Sequence, residues 1–318
     1  MTVLVALWEL GSGQHLPSEF VNQHALGDGV LLATFGNPNN FGAFLVLSIP
    51  FIGIVATRPA VRWELGRTDR VLARILLVLL PILLLLSGSR FALIGLVVAS
   101  GAYVALNRRD RSAWRFGGLL LLAGTGLSTF AIESGQRIVA KLGRFTDPSA
   151  FVQDSTEIRA NLVLNGLVYL GRSGGVGIGP AGFEESIASG DVAFAVRPGV
   201  VNAHNFWVEL LSQYGLIGGL LLGVVIVSAT ATYVRMTRDR PYGADRHRAT
   251  LMLTGLAGYV FASMTASSYI NAPENWMFIA SFLALAPALV TIGREGRSLD
   301  DRVDTDEESG VVAASSGT

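Results

Sequence analysis

Seven apolar segments, at 39–56, 71–86, 91–106, 115–132, 206–233, 249–268 and 273–292, constrain this chain more than any other feature. A bilayer core takes about 20 apolar residues of helix, and only a helix or a closed barrel satisfies every backbone amide there. The pattern predicts an all-α multipass membrane protein, a helical bundle with a large, mainly helical extracytoplasmic loop. A mean hydropathy of +0.49 with 15% charged residues agrees. Segments 71–86 and 91–106 are short for spans and meet at Ser87-Gly88-Ser89-Arg90, which reads as a tight turn. The last span opens on Asn271, Pro273 and Glu274, a cap, a first-turn proline and an acid suited to the helix dipole.

Basic residues set the orientation. Arginines 58, 62, 67, 70 and 74 fill one connection, and 108, 109, 111 and 115 the next on the same side. Arginines 235, 238, 240, 246 and 248 follow, then 294, 297 and 302, so 17 of the 24 basic residues share one face of an alternating topology. The positive-inside rule makes that face cytoplasmic. Residues 9–36, the Arg90 turn and the turn at Tyr269 then lie outside, as does the polar stretch 135–205. Residues 9–36 contain no Lys or Arg.

The chain divides into an external N-terminal segment (1–36), a four-span region (37–134), an extracytoplasmic loop (135–205), a three-span region (206–292) and a disordered cytoplasmic tail (293–318). Met1 to Trp8 is apolar, lacks the flanks of a signal peptide and is too short to span. It reads as the end of a spanning helix that begins outside this chain, or as an interfacial segment. The tail is acidic and has too little apolar surface to offset ordering.

Asp154 with Glu157 forms a capping-box-like start for a helix reaching Leu170, with Gly171 as its cap. Ile158, Leu162, Asn165 and Tyr169 recur at helical spacing and form the face that packs on the bundle or rests at the membrane. Arg159 follows in the second turn, as an anion ligand or as an arginine snorkelling to water. Gly174, Gly175, Gly177, Gly179 and Gly182 allow tight turns or close approach. Their amides could cradle an anion beside Arg172, or the run could simply pack between helix and bundle. The run is not a Walker A motif, and it follows no predicted strand.

His204 stands at the external mouth of the 206–233 span. A neutral imidazole there can take a hydroxyl proton, with Asn202 and Asn205 orienting it; a helix-capping role is the alternative. Glu209 lies one and a half turns further, where a carboxylate in apolar surroundings is a functional candidate. Arg90, Arg159 and Arg172 share the outer face by topology and could clamp a diphosphate. Cysteine is absent, and His15, His24, His204 and His247 are too dispersed for a zinc site. No metal, cofactor or nucleic-acid partner is expected.

Several pieces together resemble the O-antigen ligase and polysaccharide polymerase family of envelope proteins. They are Gly36-Asn37-Pro38-Asn39-Asn40-Phe41-Gly42, Ser87-Gly88-Ser89-Arg90, Arg159, and Gly177-Ile178-Gly179-Pro180-Ala181-Gly182-Phe183. The last is Ala203-His204-Asn205-Phe206-Trp207-Val208-Glu209-Leu210-Leu211, followed by Tyr214-Gly215-Leu216-Ile217-Gly218. Such proteins carry more spans, so this chain looks like the family's later portion.

The resemblance implies metal-independent glycosyl transfer, outside the plasma membrane, from a polyprenyl-diphosphate-linked glycan to a hydroxyl of a glycan or lipid acceptor. His204 would be the base or acceptor-orienting group. Arg90 and Arg159 would hold the diphosphate, with Arg172, Gly177, Gly179, Asn202, Asn205 and Glu209 lining the substrate site. Other polysaccharide-assembly proteins are implied as partners. A polymerase is favoured over a ligase with a non-repeat acceptor. A lipid-linked glycan transporter without catalysis would instead place polar groups at the midplane, in internal repeats.

Overall fold

The computed structural model describes residues 1–17, 30–57, 66–108, 155–239, 244–264, 266 and 269–286. The expected span at 115–132, residue Asp154, the end of the last span and the acidic tail lie outside the described residues. Every regular element among those described is helical: α1 (Thr2–Ser12), α2 (Pro38–Thr57), α3 (Arg67–Ser87), α4 (Arg90–Leu106) and α5 (Ser155–Arg172). There follow α6 (Gly182–Ala188), α7 (Phe206–Asp239), α8 (Ala244–Ala262), a 3-10 turn (Tyr269–Asn271) and α9 (273–286).

Three of these helices, α2, α3 and α7, are long and apolar enough to cross a membrane. α3 exceeds the length read from hydropathy because it starts at Arg67, where Asp69 accepts the Gly66 N–H at 2.9 Å and closes the first turn. It stops at Gly88, whose φ of 67° turns the chain left-handed while its N–H returns to Leu85 O. Arg90 then begins α4 directly, so the tight turn is one helix stop set against one helix start. α1 has 11 residues, about 16 Å of helix and less than a bilayer core.

Small residues let the helices approach closely. A Cβ on Gly42 of α2 would stand 2.7 Å from the Ser89 Cβ, and one on Gly95 of α4 would stand 2.8 Å from the Gly258 carbonyl of α8. Between helices in lipid, contact of this kind supplies the attraction that water cannot. Two buried tyrosines satisfy their hydroxyls across the seams: Tyr259 of α8 donates to Asn275 Oδ1 of α9 at 2.8 Å, and Tyr233 of α7 donates to Phe282 O. Outward, α3 shows Val71, Leu72, Ile75, Val78 and Ile82, and α7 shows Leu216, Leu220, Val224 and Val227. Apolar stripes of that length suit hydrocarbon, not water.

The helices alternate in direction. One end gathers the starts of α2, α4 and α7 with the ends of α3 and α8. There Ser89 Oγ donates to Asn39 Oδ1 at 3.2 Å, and Phe206 N–H donates to Ser263 O at 3.0 Å. The opposite end holds Arg67, Arg70 and Arg74 of α3, Arg108 after α4, Arg235 and Arg238 of α7, and Arg246 and Arg248 of α8. Arg74 Nε closes that end by donating to Ala56 O at 3.2 Å.

Candidate active site

At the arginine-poor end, two separate sequence motifs become one corner. Asn37 Oδ1 accepts the Asn39 N–H at 2.8 Å and starts α2, while Asn39 receives the Ser89 hydroxyl. Ser89 is buried, and Arg90 follows, half-buried, as the first residue of α4. A cation at that position opposes the helix dipole, whose positive end lies there. Its placement therefore brings no gain to α4 as a helix.

α5 presents the face expected from its spacing: Ile158, Leu162, Asn165 and Tyr169 are all buried. It crosses α7 at Gly166, where a Cβ would collide with Val208 Cγ1. The same helix binds a strap, residues 191–196, through three polar side chains one turn apart. Asn161 Nδ2 donates to Ala195 O at 2.8 Å, and Asn165 Nδ2 donates to Phe194 O at 2.8 Å. Asn165 Oδ1 also accepts the N–H groups of Ala193 and Phe194 at 2.9 Å each. The Tyr169 hydroxyl donates to Asp191 O at 2.6 Å. Hydropathy had placed Asn165 on the packing face; its hold on the strap was not visible, because its partners are 28 and 29 residues away.

The strap leads to His204. This residue has φ 50°, a left-handed backbone that is uncommon outside glycine though histidine tolerates it better than most. The bend aims the chain into α7, which Asn205 caps: its Oδ1 accepts from Trp207 N at 3.0 Å and from Val208 N at 3.3 Å. The capping role weighed for His204 thus belongs to its neighbour. Asn202 lies half-buried on the same bend.

Arg159 joins the two halves. Its pKa is lowered first by burial and then by the Arg90 guanidinium, and both groups remain cations. The His204 imidazole is pushed down to about 4, first by burial and then by Arg159. Arg159 is therefore near enough to Arg90 and to His204 for its charge to act on both, although the three are far apart in sequence. At neutral pH the imidazole is uncharged and able to accept a proton.

Arg172 stands elsewhere. It lies 13 residues beyond Arg159 on α5, about 20 Å along the axis. There it is exposed and pairs with Asp191 at 2.9 Å. The diphosphate clamp of three arginines read from topology is in space a cluster of two, with the third tied to the strap.

The glycine run is also committed to packing. α5 does not end at Gly171 as expected; it continues through Arg172 and stops where Gly175 N–H returns to Leu170 O at 2.9 Å, with Gly174 and Gly175 left-handed. The loop then docks on a break in α7 at Gly215, where φ is 70° and ψ is −173°. Ile178 N–H donates to Ser212 O at 2.9 Å, Gly179 N–H to Gln213 O at 3.0 Å, and Leu216 N–H to Gly175 O at 2.8 Å. Gly177 N–H goes to Ser173 Oγ at 3.0 Å. The amides of Gly177 and Gly179 are thus engaged within the protein, and anion binding by them would require breaking those bonds. Gln213, unremarked in the sequence, completes the joint by accepting the Ala181 N–H at 2.7 Å.

Glu209 is fully buried, and its Oε2 accepts the Ile270 N–H at 3.1 Å. It ties α7 to the 3-10 turn and does not face an open surface. Trp276 Nε1 donates to Ile270 O at 2.7 Å beside it, and the rings of Phe206, Trp207, Tyr259 and Trp276 pack together.

Residues 75–223, which contain Arg90, Arg159, Arg172 and His204, match the sequence profile of the family described as O-antigen ligase. The chain is 26% identical over 289 residues to an O-antigen polymerase of Salmonella muenchen, covering 90% of this chain and 68% of that protein. It is 23% identical over 288 residues to the teichuronic acid biosynthesis protein TuaE of Bacillus subtilis strain 168, covering 85% of this chain and 54% of that protein. The chain therefore spans about two thirds of one relative's length and about half of the other's. The resemblance drawn from its motifs holds: the chain is similar to the O-antigen ligase and polysaccharide polymerase family, and it carries membrane helices.

Proposed function

We propose that this protein is a polysaccharide polymerase-type glycosyltransferase that moves a glycan from a polyprenyl-diphosphate-linked donor to an acceptor hydroxyl outside the plasma membrane. One observation carries the proposal. Arg90 and Arg159 act on each other at the site where Arg159 also acts on an uncharged His204. Two guanidinium groups in partly desolvated surroundings repel, and a bound anion offsets that cost. Arg90 also adds its charge at a helix N-terminus, a position that favours anions.

The reaction follows from these groups. The diphosphate of the donor lies against Arg90 and Arg159, and the acceptor hydroxyl lies against His204. The hydroxyl oxygen bonds to the anomeric carbon while the bond from that carbon to the phosphate oxygen breaks, and the leaving diphosphate keeps the electron pair. The hydroxyl proton passes to the His204 imidazole. Direct displacement of this kind inverts the anomeric carbon, and the arginines stabilise charge as it develops on the leaving group, without calling on a metal ion. Donor binding also tunes the base: its negative charge opposes the effect of Arg159 and raises the His204 pKa from about 4 towards the range suited to proton transfer.

In this scheme the 135–205 segment is extracytoplasmic, the arginine-rich end of the bundle is cytoplasmic, and the chain crosses the membrane several times. Polymerase and ligase share this chemistry and differ in the acceptor, which is a second lipid-linked repeat for the polymerase. The relative named as a polymerase favours that assignment.

The test is glycan transfer in membranes from a defined polyprenyl-diphosphate donor. His204→Ala is expected to lose about 10²–10⁴-fold in rate, and Arg159→Ala about 10²–10³-fold. Retention of the parent rate by His204→Ala overturns its role as base. Products lengthened by whole repeats identify the polymerase, and a single transfer to a foreign acceptor identifies a ligase. Movement of donor across vesicles with no glycan transfer identifies a transporter.

A further inference from the structure

The end of the bundle opposite His204 contains a cavity of about 470 Å³ where the last residues of α4 and α7 meet the first turn of α8. Arg108, Arg238 and Arg246, one from each element, line it together with Asn107, Thr237 and Leu106. Among the described residues, no carboxylate lines it.

Helix electrostatics explain only part of this arrangement. Arg108 and Arg238 follow or close helix C-termini, where cations are favoured. Arg246 does not fit that account, because it stands in the first turn of α8, where the dipole opposes a cation. Three guanidinium groups, from the ends of three helices, line one cavity. They also present a set of forked donors that matches phosphate oxygens. The cavity is of ligand size and its inner wall is partly apolar, with Ala105, Leu106 and Val234. A bare phosphate ion leaves that wall unused. A headgroup with its glycerol and first acyl carbons covers it, and the outward side of α7 leading away from the cavity is apolar, with Val224 and Val227 exposed.

We propose that this cavity binds the phosphate of an anionic phospholipid of the leaflet at the arginine-rich end, holding the ends of α4, α7 and α8 together from outside the catalytic end. Basic pockets between membrane helices suit such headgroups, and each arginine near the lipid contributes a severalfold gain in affinity.

The experiment uses the full chain in vesicles of equimolar phosphatidylglycerol and phosphatidylcholine, followed by mild detergent extraction and native mass spectrometry. The parent protein is expected to retain phosphatidylglycerol selectively. Arg108→Gln with Arg238→Gln, two exposed positions, is expected to weaken retention about thirtyfold. Arg108→Lys with Arg238→Lys keeps most of it, and Arg235→Gln, at the same end but outside the lining, leaves it unchanged. Equal retention of both lipids overturns the proposal, as does unchanged retention in the glutamine pair. Complete displacement of the lipid by excess inorganic phosphate also overturns it, by identifying a free-anion site. If the glutamine pair unfolds at a lower temperature in pure phosphatidylcholine, the single variants Arg108→Gln and Arg238→Gln replace it. About a fivefold loss of selective retention in each supports the site, and unchanged retention in both overturns it.

Discussion

Gly177 and Gly179 form a natural experiment on what the glycine run does. Both have positive φ, 92° and 89°, so an alanine at either position carries a similar backbone strain of about 1–3 kcal/mol. Their surroundings differ. A Cβ on Gly179 meets nothing within 4 Å, whereas one on Gly177 would stand 2.5 Å from Gln213 O and 2.6 Å from Gly215 N. Gly177→Ala must therefore push the loop off the break in α7. The bonds from Ile178 N–H to Ser212 O and from Gly179 N–H to Gln213 O go with it. At about 1 kcal/mol for each bond, Gly177→Ala should cost about 2 kcal/mol more than Gly179→Ala. The assay is denaturant or thermal unfolding of both variants in one lipid, with hydrogen exchange of the amides at 176–179 and 216 as the local readout. Equal stability of the two variants refutes the clamp. A Gly179→Ala protein of near-parental stability that has lost donor affinity would return that glycine to the substrate site.

Further outcomes follow from His204, from the strap and from the buried Glu209. The free protein needs uncharged His204, so kcat/KM should rise with pH through about 4 and be level by the ordinary histidine range. Arg159→Gln removes a neighbouring cation, which raises the His204 pKa; the acid limb should move to higher pH even as the rate falls, and an unmoved limb excludes their coupling. Because the folded pKa is depressed, the unfolded chain takes up a proton first. The contribution of His204 to stability is therefore complete above about 6.5 and fades as pH falls towards 4, measured by unfolding midpoints against pH. Asn165→Ala deprives Ala193 N–H, Phe194 N–H and Phe194 O of partners and should cost about 2–4 kcal/mol, with faster exchange confined to 191–196. Glu209→Gln keeps an acceptor for the Ile270 N–H and should be far milder than Glu209→Ala, with activity following stability in both.

The sequence made some of this legible and hid the rest for physical reasons. Period and hydropathy are local properties, so the packing face Ile158, Leu162, Asn165 and Tyr169 could be read directly, as could the run that became α2. Helix ends depend on single caps. Asp69 extended α3 back to Arg67, and Gly175 in place of Gly171 carried α5 to Arg172. Convergence is non-local: nothing in the spacing of Arg90 and Arg159 distinguishes them from Arg90 and Arg172. Only the crossing of α5 on α7 at Gly166 decides which arginine meets His204. The glycine run attracted an anion-binding interpretation because its amides look available in sequence. Their acceptors, Ser212 O and Gln213 O, lie more than thirty residues further on, across a break in an apolar helix.

The strap over α5 has a consequence for which of its positions tolerate change. The bonds from Asn161, Asn165 and Tyr169 reach main-chain atoms of Asp191, Ala193, Phe194 and Ala195, while Arg172 holds the Asp191 side chain. That anchoring asks little of the side chains at 193–195, whereas Val192 and Val196 also pack against the cluster that holds Ile158 and Tyr169. Substitutions at 193–195 are therefore expected to leave the path into His204 in place. Under the proposed transfer chemistry, the side chains at 193–195 can reshape the surface beside His204 without moving it.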